Sequence, residues 1–392
     1  MPGPLTGYRV VDLTAFVAGP LATQLLAEQG ADVVKIEPLG GDLLRRIGTG
    51  RAGIAALFAS VNRNKRSVAL DLRKPEGLDV VRRLAASADV LVENFRPGAM
   101  EKMGLGPKEM CAANARLVYA RVTGFGDEGP YQRMPVFDTL VQGFSGIAWA
   151  QGQGTGRPVL LKTLVADKIA PLLAAQAITS ALLERTRSGA GQTLQVSMLD
   201  SMIWWMWPDN MMDETFLDQD TVHSPLMSSL DNLMRTADGF LTIAPVSDAS
   251  WEALAELVGR PDWLLDPRFA SMASRNVNVG VWFGVIQQEI ARRTTGEWLE
   301  LLAGSPVPHA PVHTLESVLR DEQVRANCIV EEHEHPKWGR MRQPRPVARF
   351  GRSRGRIESL APDVGEHTLE VLEESGYSAT QIHALRMSET IA

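Results

Sequence analysis

Cysteine is scarce in this sequence: Cys111 and Cys328 are its only two among 392 residues. Neither lies in a CxxC pair or a Cys/His cluster, so a disulfide framework and a structural zinc site are both excluded from the expected fold, and a reducing, cytoplasmic setting is expected. A basic excess is also missing. Lys and Arg number 40 against 46 Asp and Glu, a net charge of −6, which argues against a nucleic-acid partner. The first residues, Met1-Pro-Gly-Pro-Leu-Thr-Gly7, have no basic stretch followed by an apolar one, so no signal peptide is expected. The longest near-apolar run, Ile169 to Leu183, is broken by Pro, Gln, Thr and Ser. It falls short of the roughly 20 residues a membrane span needs, so a soluble protein is expected. No GxGxxG follows the first strand, and Walker A, GxSxG and HExxH are all absent. Nicotinamide cofactors, P-loop phosphate binding, serine hydrolysis and zinc hydrolysis therefore have no motif to rest on. His333 and His335 form an HxH pair without a third ligand and read as exposed loop histidines; no metal is expected.

What is present is an ordinary globular composition, 45% apolar and 22% charged. At this length two domains are expected. Strand-like runs at 9–14, 32–37, 67–72, 89–93 and 117–123 alternate with helical stretches at 21–29 and from Pro75 to Ser87. That alternation implies βαβ units and a mostly parallel sheet. The loops at the strand ends carry Ala18-Gly-Pro20, Gly40-Gly-Asp42, Asn94-Phe-Arg-Pro-Gly98 and Gly124-Phe-Gly126, where open α/β sheets bind ligands. Gln151 to Gly156 reads as a hairpin or flexible loop, 169–187 as a long Ala-rich helix and 192–197 as a further strand. Beyond a Met/Trp-rich stretch from Met198 to Asp220 lies a second compact region, with a strand at 239–244 and helices near 251–258, 277–294 and 296–303. Proline-rich 305–312 reads as a connector, and basic 340–356 as an extended crossing segment. Two helices close the sequence, the first stopped by Gly376 and the second opened by the capping box Ser378 to Gln381.

Asp167 precedes the long helix. It reads either as an N-cap, a role Asp often takes, or as a nucleophilic carboxylate whose ionised form a helix N-terminus favours. Arg66, Arg73, Arg96 and Lys102 fall near strand ends, where together they suit a phosphate-bearing ligand and singly read as solvated surface charge.

Many short stretches, in order, resemble the class III CoA-transferases, the family of formyl-CoA and carnitine-CoA transferases. They include 9–14 with Ala18-Gly-Pro20, Gly30 to Glu37, Asn64 to Leu72, Glu93-Asn-Phe-Arg-Pro-Gly98, Thr123-Gly-Phe-Gly126, Arg185 to Gly189, Arg235 to Gly239, Asp266-Pro-Arg-Phe269 and Pro362 to His367. The resemblance implies an α/β fold: a large Rossmann-like domain with a mostly parallel sheet, a smaller α+β domain, and an interlocked homodimer. Residues 1–197 would begin the large domain, 198–224 link, 225–315 form the small domain, 316–359 return as an extended linker, and 360–392 complete the large domain. It implies Asp167 as covalent nucleophile, and coenzyme A along Val17 and Ala18, Leu70, Asp71, Leu72 and Arg73, Asn94, Phe95 and Arg96, and Lys102. Acyl-CoA and a carboxylic acid would be the substrates, with no tightly bound cofactor. The family also holds α-methylacyl-CoA racemases, which place a proton-transferring His before an Asp; this chain has Phe137 before Asp138, and Val246 where a further Glu would stand. A non-catalytic acyl-CoA-binding protein is the third reading. Two departures from the formyl-CoA enzymes stand out: Ser224 to Asp231 lacks their glycine-rich lid, and Val17 replaces a polar residue. The Met/Trp-rich segment reads as core or dimer packing, or as the lining of an apolar acyl pocket.

Overall fold

The computed structural model describes residues 2–218 and 232–391. The glycine-free stretch 224–231 lies outside them. The described chain divides into two compact units, residues 1–206 with 327–392, and the inserted 207–326.

The first unit is built on a six-stranded sheet. Its strands are β1 (Arg9–Asp12), β2 (Asp32–Glu37), β5 (Lys65–Ala69), β6 (Val90–Glu93), β7 (Val118–Thr123) and β8 (Thr193–Ser197). A two-residue hairpin, β3 (Gly50–Arg51) and β4 (Ile54–Ala55), stands apart. The sheet order is β5-β2-β1-β6-β7-β8, every pair parallel. Counted among themselves the six run 3-2-1-4-5-6, the dinucleotide-fold order, with its reversal between β1 and β6. Valine-rich strands suit a sheet covered on both faces. Val11, Val34, Ile36, Val68, Leu91 and Tyr119 form one core with the helices Pro75–Ala86, Pro107–Ala113, Thr368–Glu374 and Ala379–Met387. The opposite side carries the helix Ala18–Ala27 and the 23-residue helix Ala166–Ser188, which pack on each other. The last helix opens with the expected capping box at Ser378.

Several sequence readings need correction. The long helix starts at Ala166 with Val165 as its N-cap, so Asp167 sits inside the first turn and is not the cap. His333 and His335 lie on a strand, β12 (Val330–His335), not in a loop. Basic residues 340–344 belong to its partner β13 (Gly339–Pro344), so the expected extended return is, over this stretch, an antiparallel hairpin. His335 stacks on Trp338 at its turn, with ring centroids 3.8 Å apart. Gln151 ends the short helix Ile147–Gln151, and turns follow, so of the hairpin and loop readings of Gln151 to Gly156 a loop is what the structure shows after the helix.

The second unit holds an antiparallel sheet ordered β11-β10-β9, from β9 (Leu233–Arg235), β10 (Phe240–Ile243) and β11 (His309–Pro311). The proline-rich connector thus supplies a strand. Its core is indole-rich: Trp251 stacks on Trp263 at 5.2 Å and meets Trp282 edge-on at 5.8 Å. Trp298 is fully buried and donates its indole N–H to the Ile290 carbonyl at 2.7 Å. Trp298→Ala should cost about 3–5 kcal/mol by opening a cavity and stranding that carbonyl. Urea denaturation followed by limited proteolysis within 207–326 will measure the loss.

Candidate active site

Ligand-binding geometry in this fold lies outside the carboxyl ends of the strands, at the reversal of strand order. A cavity of about 720 Å³ opens there, lined by the segment after β1 (Leu13 to Phe16), the β2 end and its loop (Lys35 to Leu43), Leu70 to Arg73 after β5, and Phe95 and Met103. Two glycines let helices approach its walls. A side chain at Gly19 would meet Thr14 Cβ at 2.3 Å, and one at Gly77 would meet the Asp71 carbonyl oxygen at 2.3 Å.

Across the reversal, Asn94 clamps two loops. Its Oδ1 accepts from the Ala15 N–H and its Nδ2 donates to the Ala15 carbonyl, both at 2.9 Å. Asn94→Ala should leave the fold intact and weaken CoA-ester binding about tenfold, roughly 1.4 kcal/mol, by releasing this clamp; titration calorimetry will read it. Phe16 takes a left-handed φ of 63°, unusual for a bulky residue. Strain of this kind is held by its surroundings and collects at ligand sites. No local sequence signal marked Phe16.

A buried ionic cluster supports this wall. Asp12 accepts from Thr14 N–H, Thr14 Oγ1, Thr23 Oγ1 and Lys65 Nζ. Lys35 donates to the Thr14 carbonyl at 2.7 Å and pairs with Asp42 at 3.2 Å. Glu37 pairs with Arg45 at 2.7 Å. Burial pushes Glu93, at the end of β6, up to about 7, although Arg121 binds it at 2.7 Å and pulls the other way.

The ten residues expected to line a CoA site divide into four groups. Leu70, Asp71, Leu72, Arg73 and Phe95 line the cavity. The Asp71 carboxyl is held down to about 2 by hydrogen bonds from Arg73, whose guanidinium is largely exposed. Val17 and Ala18 are buried at the head of the helix Ala18–Ala27, and the Val17 side chain packs with Leu44, Ile54 and Phe58, so only its backbone is available to a ligand. Asn94 serves as the clamp, and Arg96 and Lys102 are exposed and outside the cavity lining.

Asp167 is half-buried. Among the described residues its carboxylate has no hydrogen-bond donor. Burial, then the neighbouring Asp138 charge, push it up to about 7, against the pull of Lys168. Asp138, on the helix Asp138–Phe144, is fully buried. Its Oδ1 accepts from the Ala166 N–H at 2.7 Å and the Asp167 N–H at 3.2 Å. A chain of contacts joins this point to the cavity: Phe137 meets the Phe16 ring edge-on at 5.7 Å, and Phe16 lines the cavity wall. Sequence reading met Asp138 only as the neighbour of Phe137; an Asp followed four residues later by Gln142 was the available sign of a buried polar pair.

Strand order and cavity place the protein among the doubly wound α/β proteins. Within that class, the chain belongs to CoA-transferase family III, whose model matches residues 5–368. It is 34% identical over 397 residues to the succinyl-CoA–L-malate CoA-transferase beta subunit of Chloroflexus aurantiacus, covering 99% of this chain and 98% of that one. It is 30% identical to the succinyl-CoA:glutarate CoA-transferase of Mus musculus, covering 95% and 86%. The crystal structure of Rv3272 from Mycobacterium tuberculosis superposes with a TM-score of 0.84 at 33% identity, covering 94% and 99%. Another, of a CAIB/BAIF family protein from Brucella suis, gives 0.83 at 30%, covering 96% and 100%. The chain is therefore a CoA-transferase with a mixed α/β fold.

Proposed function

We propose that the chain moves coenzyme A from an acyl-CoA thioester to a carboxylic acid through a covalent intermediate on Asp167. The observation that carries this reading is the contact chain from the cavity at the strand reversal, through Phe16 and Phe137, to the half-buried, unpartnered Asp167 carboxylate. CoA would enter the cavity along Leu70 to Arg73 and Phe95, meet the backbone of Val17 and Ala18, and find cations for its phosphates in Arg96 and Lys102. It is a substrate, and the reaction needs no tightly bound cofactor.

The ionised Asp167 attacks the donor carbonyl; the C–S bond breaks and CoA leaves as thiolate, giving an acyl-aspartyl anhydride. The thiolate attacks the aspartyl carbonyl, the donor acid departs, and an aspartyl-CoA thioester remains. The acceptor carboxylate attacks that thioester, expelling the thiolate. The thiolate then attacks the acceptor's carbonyl in the new anhydride, releasing acyl-CoA and restoring Asp167. Proton count is unchanged throughout, so catalysis rests on orientation and a dry site.

Racemisation of an α-methylacyl-CoA would need a second proton-transfer group, and Phe137 has no proton to give. A protein that only binds acyl-CoA gives no adduct. The named relatives act on succinyl-CoA with malate or glutarate, and Rv3272 is named a probable fatty acyl-CoA transferase; both donor types belong in the test. Intact-protein mass after mixing with succinyl-CoA and with a long-chain acyl-CoA should show an adduct of CoA mass that hydroxylamine removes. Binding of both esters without any adduct overturns the reading.

A homodimer, interlocked as the family resemblance implies, is proposed on the exposed apolar side chains of two helices of the first unit. Leu172 and Leu183 on Ala166–Ser188, and Trp204 on Met198–Met206, are each more than half exposed, while Met198, Met202 and Met206 are buried. Patches of this kind call for a partner. No helix among the described residues is long and apolar enough to cross a membrane, and cytoplasmic residence is proposed on the cysteine-poor composition.

A further inference from the structure

A helix head carries backbone N–H groups without intrahelical partners, and an acidic side chain in the first turn normally uses them. At Ala166–Ser188 that arrangement is displaced. The cap residue is Val165, which has no side-chain acceptor, and the first-turn acid is Asp167. The donors go elsewhere: the Ala166 and Asp167 N–H groups both reach Asp138 Oδ1, from a residue 28 positions upstream.

Asp138 is itself fixed in place. It is fully buried, and its Oδ2 accepts from Gln142 Nε2 at 2.6 Å. Gln142, also fully buried, donates to the Thr163 carbonyl at 3.0 Å and accepts from the Leu161 N–H at 2.9 Å. One side-chain pair therefore holds both the segment entering the long helix and the helix head.

We propose that Asp138 is a positioning residue for the transfer reaction: by taking the two backbone donors at the head of the long helix, it denies them to Asp167 and leaves that carboxylate unsatisfied and available to the acyl carbon. This inference rests on the transferase reading. A carboxylate stabilised by two backbone donors is a poorer nucleophile than one without them, because those bonds weaken as its charge moves into the new C–O bond. The placement has a cost in ionisation: burial, and then the Asp138 charge beside it, disfavour the charged form of Asp167. Lys168, one residue on, is exposed and bonded to Thr163 Oγ1, and favours ionisation of Asp167.

The test is the pH dependence of single-turnover adduct formation from succinyl-CoA or a long-chain acyl-CoA, whichever labels the wild-type protein. Wild type should show a midpoint near 7, rising with pH. Asp138→Asn keeps an acceptor for the two N–H groups and removes the charge; its midpoint should fall by at least one unit, with CoA-ester affinity within twofold of wild type. Burial also pushes Glu93 up to about 7, but it is the same in both proteins and cannot produce a difference between them. Asp138→Glu keeps the charge on a longer arm that cannot seat on both donors; its midpoint should stay near 7 while its rate falls about tenfold. An unmoved midpoint in Asp138→Asn overturns the proposal, and so does a wild-type rate in Asp138→Glu, which carries the test alone should the Asn variant not fold. Wild-type protein that binds the esters and forms no adduct removes the transferase reading and this proposal together, whereas an adduct that Asp138 variants leave unchanged removes this proposal only.

Discussion

Asp167→Ala will lose at least about a thousandfold in CoA transfer and form no covalent adduct, yet it will be harder to unfold than wild type at pH 8. The first half follows from chemistry. A covalent route has no substitute once its nucleophile is gone, and water cannot return CoA to a second acid. The second half follows from the environment of the carboxyl, raised from 3.8 to about 7 first by burial and then by Asp138. The sign is set by linkage. A carboxyl raised in the folded state is tolerated while protonated, so its full contribution holds below about pH 4 and is lost as pH rises through 7. Removing it relieves a penalty on the order of 2–4 kcal/mol at pH 8 and only about 0.5 kcal/mol at pH 4. Thermal melts of both proteins at the two pH values will show a gap at pH 8 that nearly closes at pH 4. A gap of equal size at both would place the effect in packing and not in charge.

A loss of stability as large as that of Trp298→Ala is expected from Asp12→Ala, about 3–5 kcal/mol at pH 7, because it leaves a lysine buried without its counter-ion. Lys65 Nζ lies 2.9 Å from Asp12, and both side chains are fully buried. Burial pulls Lys65 down to about 8, with Asp12 holding it up; without Asp12 it falls further and its charge is lost near neutrality. Asp12 runs the other way. Burial raises it, but Lys65, Lys35 and the Thr14 and Thr23 hydroxyls outweigh burial and hold it far below the usual carboxylate range. Its stabilisation is therefore present above about pH 4 and drains away as pH falls through the lowered value. Wild type should lose stability on acidification where Asp12→Ala loses less. The double variant Asp12→Leu with Lys65→Met should recover much of the single variant's loss, since a matched apolar pair removes the stranded charge. Chemical denaturation at pH 7 and at about pH 2.5, inside the window where this stabilisation is being lost, will test both statements. Because Asp12 also holds Thr14 N–H and Oγ1, the single variant should bind CoA esters more weakly as well.

The parallel sheet was legible because its strands are Val- and Ile-rich runs at βαβ spacing, a signal that burial on both faces writes directly into sequence. Asp167 was legible as a special position, but that it does not cap its helix was not: the acceptor that takes the helix-head donors, Asp138, is 28–29 residues away, and no local pattern reports a cap supplied at that distance. The β12–β13 hairpin was missed because its faces are mostly charged, with Glu332 pairing Arg340 and Arg342 across the strands, so no apolar alternation marks it. Phe16 was invisible because its unusual φ is imposed by its surroundings.

The insertion of 207–326 between the two parts of the first unit also bears on synthesis. Asp71, in the cavity wall, donates its N–H to the Thr390 carbonyl, and Leu70 bridges Ile391. On a ribosome adding about 5–20 residues per second, the partners of this wall arrive roughly 15–60 s after it emerges. For that interval β5 is an open sheet edge, the kind that other chains can pair with. A nascent chain stalled within the insert would have all six strands of the sheet and every residue that lines the cavity and still lack the closing bridge, so chaperone occupancy should peak on stalled chains and drop when residues 388–391 are released.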